Sequence, residues 1–108
     1  MPDEYSVTVN TFTGSYTGHV NVTISGPGGY SYTFGNNITG GEWGVRVESN
    51  AYRTDIHSTI YPVTYAQALD MYNWAAGLIS DPQNSYGLLG RNCVDFVRDM
   101  FSAGGLGN

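Results

Sequence analysis

With 108 residues, 41% of them hydrophobic and only 12% charged, the chain has the make-up of one packed domain with a Ser/Thr/Asn/Gly/Tyr-rich surface, not of a disordered segment. The formal charge is -5, and the four cations, Arg46, Arg53, Arg91 and Arg98, are scattered, which excludes a clustered basic footprint for nucleic acid or an anionic membrane. Cys93 is the only cysteine, so an intrachain disulfide and a cysteine-based zinc cluster are excluded as well.

From Tyr5 to Phe12 the apolar residues alternate with Ser6, Thr8 and Asn10, the period of a half-buried strand. After Gly14 and Gly18 the alternation resumes, with Val20, Val22 and Ile24 on one face and His19, Asn21 and Thr23 on the other. The run Gly26-Pro27-Gly28-Gly29 marks a tight turn into a third strand, Tyr30 to Phe34. Gly35 to Gly41 reads as a loop, Trp43, Val45 and Val47 as a fourth strand, and His57 to Val63 as a fifth with Pro62 near its end.

The period then changes. Thr64 and Gln67 form a capping-box pair, and Ala68, Leu69, Tyr72, Ala75, Ala76 and Ile79 recur at helical spacing, which predicts a helix from Tyr65 to Ser80 that Asp81-Pro82 stops. A second helix is expected from Asn92, closed by Gly104-Gly105. Strands followed by helices predict one α+β domain over residues 1–108, a small antiparallel sheet packed against two helices.

Asn92 as N-cap puts Cys93 in the first helical turn, where free backbone N–H groups and the positive end of the helix dipole favour a thiolate. The amide of Cys93 is also the first donor for an oxyanion. A lone free cysteine is more commonly a small buried hydrophobe, and that is the competing reading. His57 is a second candidate base, and a metal site from His19, His57 and Asp55 lacks any recognisable ligand spacing. Asp95 reads as a first-turn acid favoured by the dipole, Arg98 as a surface partner of neighbouring acids, and Trp74 as a packing residue.

The segment Tyr86-Gly87-Leu88-Leu89-Gly90-Arg91-Asn92-Cys93-Val94-Asp95-Phe96-Val97 resembles the nucleophile segment of circularly permuted papain-like enzymes, the group that includes NlpC-type cell-wall peptidases and lecithin:retinol acyltransferase-like proteins. Gly18-His19-Val20 resembles that group's histidine strand, and histidine precedes cysteine here as it does in the permuted order. The resemblance implies a papain-like fold, no cofactor and no metal, with Cys93 as nucleophile and His19 as base. It also implies a polar orienting residue on the strand after the histidine strand. Ser31 is the best positional match there, with Asn36, Asn37 or a backbone carbonyl as alternatives. Asn92, Trp43 and Tyr86 are the expected substrate contacts.

By the same resemblance the expected activity is a cysteine peptidase or amidase acting on bacterial peptidoglycan peptide, as an antibacterial effector or toxin domain matched by an immunity protein. The alternatives are an acyltransferase- or thioesterase-type lipid hydrolase and a non-catalytic binding module. Met1-Pro2-Asp3-Glu4 lacks the basic-then-apolar layout of a signal peptide, and no amphipathic membrane anchor is evident. Delivery by a dedicated secretion system, or as part of a larger exported toxin acting in the target periplasm, is therefore expected.

Overall fold

A computed structural model describes residues 4–14, 19–39, 42–51, 53–81 and 92–107. It is α+β, as the change of period predicts: five antiparallel strands in one sheet, packed against two helices. The strands are β1 (Tyr5–Phe12), β2 (His19–Ser25), β3 (Ser31–Thr39), β4 (Glu42–Val47) and β5 (Ile56–Val63), in the spatial order β4-β3-β2-β1-β5. The helices are α1 (Tyr65–Ser80) and α2 (Cys93–Ala103).

Register turns the sequence alternation into two faces. Val7 pairs with Ile24, Val9 with Val22, Val22 with Phe34, and Phe34 with Val47, so these apolar positions share one face. Against that face pack Ala68, Met71 and Ala75 of α1 and Phe96 and Met100 of α2, forming one buried cluster with Val7, Val22, Ile24, Phe34, Val45 and Val63. Trp74 stacks on Phe96 at 5.5 Å, the packing role expected of it. The opposite face carries Thr8, Asn10, His19, Asn21, Thr23 and Thr33.

The start of α1 and the turn between β2 and β3 form for the expected physical reasons. Thr64 accepts from the Gln67 amide at 3.1 Å while the Gln67 side chain accepts from the Thr64 amide at 2.9 Å, closing the capping box of α1. In the turn between β2 and β3, Gly28 and Gly29 sit at φ +73 and +81, a region glycine occupies without steric cost.

The loop expected from Gly35 to Gly41 is corrected. β3 continues to Thr39 and β4 begins at Glu42, with Gly35 opposite Arg46 and Asn36 opposite Val45. Glycine and asparagine have poor strand propensity, but a neighbouring strand that satisfies their amides and carbonyls overrides it.

Because β4 and β5 are opposite edges of the sheet, the chain joining them must cross all the strands between. Four inter-strand steps of about 4.8 Å come to roughly 19 Å, within the reach of about 26 Å for an extended run of residues 48–55. The crossing is pinned at both ends: the Glu48 amide donates to the Thr33 carbonyl at 2.9 Å, and the Thr13 amide to the Asp55 carbonyl at 2.6 Å. Asn50 exchanges hydrogen bonds with Asn21 on β2 between them. The strap thereby buries part of the polar face.

Candidate active site

α2 begins with a complete cap. Asn92 accepts from the Asp95 amide at 2.9 Å, and the Asp95 carboxylate accepts from the Asn92 amide at 3.0 Å. Cys93 is thus the first helical residue, and its own amide and that of Val20 donate hydrogen bonds toward its sulfur. Asp95 also pairs with Arg98 at 3.0 Å, and Arg98 lies 3.6 Å from Asp99, as a surface cation among acids should.

His19 is the first residue of β2, so thiol and imidazole belong to the starts of two elements that meet at one end of the sheet, where their side chains hydrogen-bond. The other partner of His19 is Glu48, whose Oε1 lies 2.8 Å from Nε2. Glu48 also accepts from the Asn21 amide group at 2.8 Å and is hydrogen-bonded by Asn37. Phe12 meets the imidazole edge-on at 5.2 Å and is itself covered by the Arg53 guanidinium at 4.2 Å, which Asp55 holds in a bidentate pair at 2.8 and 2.6 Å.

The electrostatics follow from these contacts. Hydrogen bonds from His19 to Cys93 and then to Glu48, opposed by burial, raise the imidazole from 6.5 to about 9. The Cys93 thiol is pulled below its ordinary 9.0 by His19 first, against burial, with the Val20 amide assisting. Burial pushes Glu48 up, but its bonds from His19 and Asn21 outweigh that, and its carboxyl lies below the ordinary value. These shifts keep His19 as imidazolium at neutral pH and favour the ionised forms of Cys93 and Glu48. Cys93 is buried, with 9% of its surface exposed, and its sulfur lies within hydrogen-bonding reach of His19.

Ser31 is not the orienting residue. It pairs with Ser25 at the far end of β2 from His19, and it is exposed. The orienting contact comes instead from Glu48, which sequence reasoning missed. Its signal lay in strand phase: if Trp43, Val45 and Val47 face the helices, then Gly44, Arg46 and Glu48 continue the face that bears His19 and Asn21. Asn37, an alternative to Ser31, touches Glu48, one step removed from the imidazole.

His57 pairs with Thr11 whereas His19 pairs with Phe12, so the two histidines project from opposite faces and His57 is exposed. The metal combination of His19, His57 and Asp55 is not assembled, and no group of three potential ligands occurs among the described residues. Asn92, expected at the substrate, spends its side chain on the helix cap. Tyr86 and the Trp43 side chain lie outside the described residues.

No known family model, curated protein or solved structure matches this chain.

Proposed function

We propose that the chain is a cysteine hydrolase of the circularly permuted papain-like kind, cleaving an amide bond, with bacterial peptidoglycan peptide as the substrate and an exported antibacterial effector as the setting. The observation that carries the reading is the chain of contacts from the Cys93 thiol to His19 and on to Glu48, at the capped start of α2. A structural cysteine in a core has no need of an imidazole held by a carboxylate.

In this mechanism the Cys93 thiolate attacks the carbonyl carbon and the C–S bond forms as the carbonyl electrons move to oxygen. The Cys93 amide, free of intrahelical bonding in the first turn, donates to that oxyanion. The C–N bond breaks as the His19 imidazolium gives its proton to the leaving amine, leaving a thioester. Neutral His19 then takes a proton from water, the hydroxide adds, and thiolate departs with the acid released.

A second reading is an acyl-ester or thioester hydrolase. An apolar groove of about 550 Å³ beside α2, walled by Val9, Val20, Tyr61, Val94, Val97 and Phe101, favours it, since Val20 and Val94 are the chain neighbours of His19 and Cys93. No helix among the described residues is long and apolar enough to cross a membrane.

Expression in a bacterial periplasm, with Cys93→Ala alongside, tests both. Lysis by the wild type alone, with peptidoglycan fragments whose masses name a cut amide, is the expected result. Intact peptidoglycan together with hydrolysis of long-chain thioesters would favour the second reading. Indifference of both substrates to the wild type would end both.

A further inference from the structure

β2 and β4 are not neighbours; β3 lies between them, and two inter-strand steps put them about 9.6 Å apart. A carboxylate carried just past the end of β4 reaches His19 on β2 only by lying across the backbone of β3. At the crossing point stands Gly35, buried, paired with Arg46 and, by the Val22–Phe34 register, next to Asn21. A Cβ at Gly35 would lie 2.5 Å from both Cδ and Oε1 of Glu48 and 2.7 Å from its Oε2. The three atoms nearest to that point all belong to the Glu48 carboxylate.

We propose that Gly35 and Asn21 form a seat for Glu48, in which the bare α-carbon of β3 admits the carboxylate and the Asn21 amide group fixes it, so that Gly35 is a positioning residue for His19. The seat explains how a strand lacking its own acid beside His19 still supplies one: the acid is borrowed from the following strand. It also explains glycine within a strand, where it is otherwise less favourable than alanine. The atoms a methyl group would strike are the free end of a flexible side chain, so Gly35→Ala displaces Glu48 and leaves the strand paired.

This inference rests on the Cys93–His19 reading, but its physical content can be measured apart from it. A double-mutant cycle of wild type, Gly35→Ala, Glu48→Ala and the pair is read in two ways: the His19 ring titration by NMR in a His57→Gln background, and Cys93 alkylation by iodoacetamide across pH. Each single substitution should lower the His19 midpoint from about 9 by a unit or more, and slow alkylation at about pH 7 by roughly tenfold. In the Glu48→Ala background, Gly35→Ala should add nothing. Gly77→Ala, at an exposed helical glycine with no atom near its would-be Cβ, should leave both readouts unchanged.

A wild-type His19 titration in folded Gly35→Ala, or effects that simply add, would overturn the seat. If Gly35→Ala unfolds, unfolding that is reversed by also removing Glu48 supports the proposal, and unfolding in both backgrounds overturns it. Should wild-type Cys93 prove no more reactive than free cysteine, the hydrolase reading falls, while the His19 titrations still decide the seat.

Discussion

The two faces of the sheet bury their residues by opposite chemistry. On the helix side Val7, Val22, Ile24, Phe34 and Val45 meet Met71, Phe96 and Met100 in an apolar layer, where volume and burial set most of the energy. On the other side the strap covers hydrogen-bonded amides and hydroxyls. Ser58 donates to Asn10 at 2.8 Å, Asn10 to Asn21 at 3.0 Å and to Thr23 at 2.9 Å, Thr23 meets Thr33 at 2.7 Å, and Asn21 donates to Glu48 at 2.8 Å. This network runs from β5 to the imidazole and fixes direction, which burial alone cannot do. The contrast teaches a division of labour: the apolar face supplies stability and the polar face aims His19.

That division breaks most sharply at Cys93. Cys93→Ala should abolish alkylation and any hydrolysis while leaving the circular dichroism spectrum and thermal midpoint close to wild type; retained hydrolysis would remove cysteine chemistry from the molecule. Next in size, Phe96→Ala on the apolar face should cost about 3–5 kcal/mol in denaturant unfolding, because a fully buried ring leaves a cavity. Its folded fraction should still react at Cys93. Glu48→Gln reverses the pattern. Unfolding should change by only about 1 kcal/mol, whereas alkylation near neutral pH should slow about tenfold or more.

The smallest effect is the pH dependence of stability, and its sign follows from counting protons. His19 is raised, so its contribution is full below 6.5 and is lost as pH rises through about 9; Cys93 is lowered, so its contribution is present above 9.0 and is lost as pH falls. The two dependences run in opposite directions below about 9, so the pair should make the thermal midpoint vary less with pH than either group would alone. On the proposed mechanism, hydrolysis should nevertheless decline above about pH 9, where the imidazolium is lost, while alkylation does not. An alkaline limb near 6.5 instead would mean that Glu48 and Cys93 do not hold the proton on His19.

Much of the fold was legible because it obeys local rules. Alternation marked the strands, the Thr64–Gln67 pair marked the start of α1, and Asn92 marked the start of α2 with Cys93 in its first turn. Legibility failed where neighbours overrode propensity, as in Gly35 to Thr39, which a loop-like composition conceals and the pairing with β4 makes a strand. It failed again at the third member of the site. Ser31 matches the resembled group's orienting position, on the strand after the histidine strand, but antiparallel pairing sets it opposite Ser25, at the end of β2 away from His19.

The sequence by itself determined the period of each element, the caps, the sidedness of His19 and the placement of Cys93 at a helix start, because these depend on residues a few positions apart. Only the tertiary structure decided that Glu48 lies over Gly35 and against His19. That meeting joins residues 29 positions apart through the path of a strap from one sheet edge to the other, and no short-range pattern encodes the strand order that forces such a path.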